Sequence, residues 1–354
     1  MSNVIGIPKE IKPNEGRVSL TPKSVNKLTS ISDVIVETDA GNISGFCDSE
    51  YILSGAKIVK SSKELYDNSN IICKVKEPLS GDLLNLGRNH LLFGYLHLAS
   101  SYELTVNLMD LGLTAIAMEM IRDKDNYPLL TPMSEFAGQL AYSKGMELLE
   151  NDVKNPNIVV IGCGVVGQES INSAIESDSL IYAIDVDDEK LKRLKSKYKE
   201  RIITVNSDKE NTNDIITNAN LLIGAVLVPG KKPPTVINNA HIKSMAEGSV
   251  IVDVAIDQGG CVEGAKANTH SKPYSVRDGV KVSAIANLPG SVPSQASIAI
   301  SNQIEIYLPF FLEKNWIDKI ENNKVYSQSL QVHNGSLLSK EVSDSLGIAL
   351  SSLN

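Results

Sequence analysis

Apolar positions along this chain fall into short runs separated by polar stretches. In the first third, residues 4–7, 33–37, 57–60, 71–75, 91–96 and 113–118 read as strands. Between them, 21–28, 61–66 and 101–111 are polar segments that permit helices. Strands alternating with helices predict a parallel sheet, here of about six strands. The second third repeats the pattern with strands expected over 157–161, 180–184, 202–205, 220–224, 249–254 and 281–285. These runs are apolar nearly throughout, as strands covered by helices on both faces are.

The pattern changes at Gln295. Ile300, Ile304, Leu308 and Phe311 recur at helical spacing, and Pro309 is expected to kink that helix. Beyond it the chain is polar and short of strand signals. The expected fold class is α/β: two doubly wound, Rossmann-like parallel-sheet domains with an interdomain cleft. One domain is drawn from residues 1–130 plus 294–354, which the last helix rejoins, and the other from 131–293.

The second domain contains an informative stretch, NIVVIGCGVVGQESINSAIESDSLIYAID, residues 157–185. An apolar strand runs into Gly162-Cys163-Gly164-Val165-Val166-Gly167, then a helix, then a second strand ending on Asp185. Gly162 permits the turn, Gly164 lets backbone approach a pyrophosphate, and Gly167 lets helix and strand pack closely. The helix N-terminus presents N–H groups and partial positive charge to the phosphates. Asp185, near the spacing for a ribose-binding acid, would repel a 2′-phosphate, so NAD is favoured over NADP. A glycine triplet alone is a weak signal. Here the flanking strands and the terminal acid agree with it.

Composition narrows the field. The 354 residues allow two cores, and 42% apolar with 21% charged residues is ordinary for a soluble protein. A net charge of −8 without a basic cluster argues against nucleic acid as partner. No apolar run is long enough to cross a bilayer, and the N-terminus lacks a signal pattern, so a cytoplasmic location is expected. The four cysteines, Cys47, Cys73, Cys163 and Cys261, have no metal-binding spacing; all four are expected to be small buried residues, and no metal site is predicted.

Ligands of open α/β sheets bind beyond the carboxyl ends of strands. That rule selects Lys76 at the end of IICKVK, His97 after LLFGYL, Asp257 after SVIVDVAI and Asn287 after KVSAIA. Each also has a plainer use: a solvated strand cap, a hydrogen-bonded core imidazole, a loop cap before Gly259. Met118, Met120, Tyr95 and Met133 are equally open between pocket and core. Read alone, these residues leave both a dehydrogenase and a non-catalytic nucleotide-binding protein in play.

The stretches IPKEIKPNEGRVSLTP (7–22), ICKVKEP (72–78), LFGYLHLAS (92–100), LLTPMSEFAGQLA (129–141), IGCGVVG (161–167), LLIGAVLVPGKKPP (221–234), IVDVAIDQGGC (251–261) and ANLPGSVP (286–293) carry more. In this order the chain resembles the family of alanine dehydrogenases and the NAD-binding subunit of proton-translocating transhydrogenase, closer to the dehydrogenase branch. The resemblance implies that Arg17 and Lys76 hold a keto-acid, that His97 polarises its carbonyl and donates a proton, and that Asp257 works in acid/base steps. It places Ser134, Asp185, Lys190, Ser207, Val226, Leu227, Ile285, Ala286, Asn287 and Leu288 around NAD. It implies a homohexamer that oxidises L-alanine to pyruvate and ammonia, reversibly. The alternatives it leaves are another small L-amino acid as substrate or a divergent non-catalytic paralogue.

That chemistry suits the residue types. A carboxylate substrate needs a cation, and a guanidinium is a planar partner for it. An imidazole exchanges protons near neutral pH, as the steps at the amine-bearing carbon require. The chain departs from the family's pattern at 146–156, where a glycine-rich insert is usual, in the helix QESINSAIESD, and at Gln295-Ala296-Ser297.

Overall fold

The computed structural model describes residues 3–124, 126–149, 153–226, 228 and 233–353. The chain forms two compact units, Met1–Met133 with Gly290–Asn354, and Ser134–Pro289.

The first unit begins with strands β1 (Val4–Ile7), β2 (Asp33–Glu37), β3 (Lys57–Val59), β4 (Ile71–Cys73), β5 (Leu91–Gly94) and β6 (Thr114–Ala117). The second contains β7 (Asn157–Ile161), β8 (Leu180–Asp185), β9 (Ile202–Asn206), β10 (Leu221–Gly224), β11 (Val250–Asp253), β12 (Ser275–Arg277) and β13 (Val280–Ser283). The chain then adds β14 (Leu330–His333) and β15 (Ser336–Leu337) to the first sheet. The orders are β15-β14-β6-β5-β4-β1-β2-β3 and β12-β13-β11-β10-β7-β8-β9. Within each, the strand order reverses between the first strand and the fourth, β1 against β4 and β7 against β10, and both pairs are parallel. This is the doubly wound α/β arrangement the alternation predicts.

The local signals explain where elements start and stop. The Ser101 side chain accepts a hydrogen bond from Leu104 N at 3.3 Å, opening the helix Tyr102–Leu111, and Gly112 closes it with φ 67°. Asp187 caps the helix Asp188–Tyr198 by accepting from Glu189 N at 2.9 Å and Lys190 N at 3.3 Å. Apolar strand residues fill the cores. In the first sheet Ile72, Leu92 and Ala115 pack with Leu65, Leu108 and Val332. In the second, Ile158 and Val160 face one layer of helices while Val159, Leu222 and Ile251 face the other.

Four expectations are corrected. Pro309 does not kink the long helix; the helix Pro293–Tyr307 ends before it and a 3₁₀ turn spans Leu308–Leu312. Proline lacks the N–H that the next turn needs, and its ring clashes with the carbonyl four residues back. The region after 311 is not without strands, because β14 pairs antiparallel with β6 and β15 with β14. The antiparallel edge strand β12 also escaped the apolar pattern, since two of its three residues are exposed. Cys47 is exposed and precedes the helix Asp48–Leu53, while Cys73, Cys163 and Cys261 are buried and all four are free thiols. No helix among the described residues is long and apolar enough to cross a membrane.

Candidate active site

Side chains leaving the carboxyl ends of neighbouring strands in the first unit build one charged cluster. β6, β5, β4 and β1 are adjacent, and beyond their ends lie Glu119, His97, Lys76 and the segment from Glu10 to Arg17. Strands β4 and β5 stop early at Cys73 and Gly94. The residues that follow leave the sheet but remain tied together, Tyr95 N donating to Val75 O at 3.1 Å. Lys76 and Arg17 thus flank the reversal of strand order between β1 and β4, where doubly wound sheets take their ligands.

Arg17 is 3% exposed. Glu15 accepts from its Nε at 2.7 Å and from a terminal nitrogen at 2.5 Å, and the other terminal nitrogen lies 3.2 Å from Met133 Sδ. Burial opposes the guanidinium charge, but the Glu15 carboxylate outweighs it and holds the pKa above the ordinary value. The loop around Arg17 is pinned from two sides. Ser44 Oγ donates to Gly16 O at 2.7 Å, and Val18 N donates to Ser297 Oγ at 2.9 Å.

Lys76 is 5% exposed, which rules out the solvated strand cap. Its backbone is held by Glu10, whose Oε1 accepts from Val75 N at 2.6 Å and Lys76 N at 3.4 Å. Glu10 in turn lies 3.4 Å from Lys74 Nζ, which donates to Asp82 at 3.2 Å. Tyr66 donates to the same Asp82 oxygen at 2.9 Å. Burial works against the Lys74 charge, yet the two carboxylates hold its pKa above the ordinary value. A buried lysine so neutralised is a structural ion pair.

His97 is neither a core imidazole nor a surface one: its side chain is 20% exposed. Its backbone is left-handed, φ 47° and ψ 39°. Its ring lies parallel to that of Tyr95, 5° between planes and 6.2 Å between centroids. Tyr95 is buried and donates to Leu129 O; burial pushes its phenol pKa up, opposed by nearby Arg17 and reinforced by Glu119. Tyr95 therefore connects the Arg17 and His97 neighbourhoods. Met133 and Tyr95 belong to this cluster, whereas Met120 packs in the core and Met118 is fully buried.

The second unit is built from backbone rather than charge. Gly162 turns with φ 92°, and a Cβ on Gly167 would lie 1.9 Å from Gly162 O. Only glycine fits either position. At Gly164 the room a Cβ would fill has no atom within 4 Å, so the loop holds an open cradle at the N-terminus of the helix Val165–Ala174, where no side chain caps the helix. A pyrophosphate fits such a cradle. Val165 is exposed and Val166 packs against the core.

Asp185, 8% exposed, closes the loop from the end of β8. It accepts from Cys163 N at 2.7 Å and Asp187 N at 2.9 Å, with Lys190 Nζ 3.7 Å away. Ser207 N donates to Asp185 O at 3.2 Å, and Val226 abuts Gly162, both at the same end of the sheet. Ser134 is buried, one helical turn before Gly138, where the helix Thr131–Leu148 contacts Val166 and Ser170. Asp257 is exposed, and both its oxygens accept from Asn287 N, at 3.1 and 3.0 Å. That contact brings the proposed acid to the 285–288 loop. Ile285 and Leu288 turn their side chains into the core, so the loop presents backbone, Ala286 and the left-handed Asn287. Leu227 lies outside the described residues. No group of His, Cys, Asp and Glu suited to a metal occurs among the described residues.

Sequence reasoning missed Glu10, Glu15, Lys74 and Glu119. For Glu119 a signal existed, since it follows β6 as His97 follows β5. For the others the partner is set by packing.

Comparison with known proteins gives a consistent result. The sequence model of the alanine dehydrogenase/PNT N-terminal domain matches residues 6–137, and that of the C-terminal domain matches 138–340. The alanine dehydrogenase of Bacillus subtilis is 39% identical over a 359-residue alignment covering 97% of this chain and 95% of the relative. That of Mycobacterium tuberculosis is 34% identical over 97% of each. A solved L-alanine dehydrogenase superposes with a TM-score of 0.87 at 36% identity, over 97% of this chain and 99% of the other. A transhydrogenase from Sinorhizobium meliloti, at 23% identity and a TM-score of 0.80 over 95% and 100%, shares the fold.

Proposed function

This chain belongs to the alanine dehydrogenase/PNT family, and we propose that it carries out the reversible oxidative deamination of L-alanine with NAD. The balance is L-alanine, water and NAD⁺ to pyruvate, ammonium, NADH and a proton. The observation that carries this reading is the alignment of Arg17, Lys76 and His97 beyond adjacent strand ends, in a chain alike throughout to alanine dehydrogenases.

In this reading Arg17, fixed by Glu15, holds the substrate carboxylate, and Lys76 holds the oxygen of the keto-acid. NAD supplies the acceptor for the hydride of the α-carbon. Asp257 takes a proton from the substrate ammonium as the C–N bond gains double-bond character. His97 takes a proton from the water that adds to that carbon and returns it to the amine. As the C–N bond breaks, the hydroxyl proton passes to the departing ammonia and C=O forms. Ammonium leaves, and the proton held by Asp257 is the one released. In the second unit the loop of Gly162, Gly164, Val165, Val166 and Gly167 cradles the pyrophosphate, and Asp185 meets the adenosine ribose and disfavours NADP. Ser134, Lys190, Ser207, Val226, Leu227 and residues 285–288 complete the shell. Residues 1–130 with 294–354 are the substrate part, and 131–293 the nucleotide part. We further infer a homohexamer working in the cytoplasm, which light scattering on the purified protein and cell fractionation check.

The direct test is the initial rate of NADH formation with L-alanine at alkaline pH. Turnover is expected, and His97→Ala should lower it by about 10²–10⁴-fold, the usual worth of a positioned acid/base, while NADH still binds. Tight NADH binding without amino-acid oxidation by the unmodified protein overturns the assignment.

A further inference from the structure

We infer that Glu119 is the residue that positions His97 and provides the counter-charge for its protonated ring. This rests on the role given to His97 above. Glu119 sits in a 3₁₀ turn just past β6 and is 8% exposed. Its carboxylate reaches across to the end of β5. There it accepts from His97 N at 2.7 Å and from Leu96 N at 3.2 and 3.3 Å. These are backbone contacts on a residue in the left-handed region, which is uncommon for any residue but glycine, and they hold the chain there.

The same oxygen lies 3.6 Å from His97 Nδ1. That is too long for a hydrogen bond and short enough for a charge contact. Tyr95 lies parallel to the ring, 6.2 Å between centroids, and Nδ1 is the nitrogen on the side of the carboxylate. His97 Nε2 makes no hydrogen bond to another described residue, and it is the nitrogen that exchanges a proton with water and ammonia. Proton uptake at Nε2 creates an imidazolium with a carboxylate already beside Nδ1 and no rearrangement needed. This is the orienting third group behind a base that acid/base sites commonly use.

The test uses the full-length protein with Glu119→Gln, which keeps an acceptor oxygen for the two backbone N–H groups and removes the charge. Turnover of L-alanine should fall by at least about tenfold, with KM for NAD unchanged, because the nucleotide shell contains no part of this contact. The limb of the pH–rate profile that His97→Ala abolishes should move toward lower pH, because the protonated ring loses the carboxylate beside it. In a His97→Ala background the same substitution should change turnover less than twofold, since Glu119 acts through the missing ring. Full turnover and an unshifted profile in Glu119→Gln overturn the inference, as does an undiminished loss in the His97→Ala background. Both leave the dehydrogenase assignment standing; that assignment fails only if the unmodified enzyme is inactive. If Glu119→Gln does not fold, Glu119→Asp keeps the charge on a shorter arm. It should lose several-fold in turnover and leave the profile in place, and unchanged turnover overturns the inference.

Discussion

The two sheets reverse strand order at the same place and arm that place with opposite materials. Between β1 and β4 the first unit gathers buried ionic side chains: Glu10, Glu15, Arg17, Lys74 and Lys76. Between β7 and β10 the second unit offers glycine turns, an uncapped helix N-terminus and one acid already satisfied by backbone N–H groups. A common topology therefore fixes where a ligand sits and leaves open what kind. In the proposed reading a small anion would meet a buried cation with its own counter-ion behind it. A long polyanion would meet backbone, which binds phosphate without needing a buried charge.

Substitutions at the two reversals should separate these strategies. The largest effect is expected for Arg17→Ala, which leaves Glu15 buried with its cation gone. Breaking such a pair costs about 3–5 kcal/mol, so urea unfolding should show a loss of that size together with loss of alanine turnover. A loss below about 1 kcal/mol, the range of an exposed pair, would mean that Glu15 and Arg17 do not form a buried pair. Gly167→Ala comes next. Its new methyl meets a backbone oxygen, and overpacking of this kind costs about 1–3 kcal/mol. NADH titrated by fluorescence should bind more weakly, with the charged cluster of the first unit unaffected.

The smallest effect concerns Asp253, fully buried at the end of β11. Burial raises its pKa above the ordinary 3.8, against hydrogen bonds from Cys261, Val262 and Ala255 N–H groups. A raised native value means the folded state holds the proton more tightly than the unfolded chain. The stability this contributes is full below the ordinary value and is lost as pH rises through the native one. Asp253→Asn should therefore flatten the stability–pH curve just above the ordinary carboxylate range, by at most about 1.4 kcal/mol per pH unit, one proton's worth. Urea midpoints measured on either side of that window check it, and parallel curves for the two proteins would rule it out.

Much of this was legible without coordinates. The strands of both parallel sheets, the glycine turn and Asp185 are consecutive in sequence, and their signals are local: β-branched runs, glycines that no side chain can replace, an acid at a strand end. The strand-end rule selects His97 and Lys76 because it needs only strand boundaries. The same rule selects Asp257, but its link to Asn287 spans thirty residues and appears only in the fold.

What local pattern could not reach are the pairings. β14 joins β6 across more than two hundred residues, and its short, mixed sequence becomes a strand because an open sheet edge accepts it. Glu119 looks like any polar residue between methionines until β6 lies beside β5 and its carboxylate meets the His97 backbone. Lys74 and Lys76, two positions apart, differ only in what surrounds them, and Glu10 and Asp82 come to Lys74 from separate segments. Composition and periodicity determine which elements form and where their ends fall, because turns and strands are short-range events. Which charges become partners is decided by the order in which strands stack, and burial then makes each pairing obligatory.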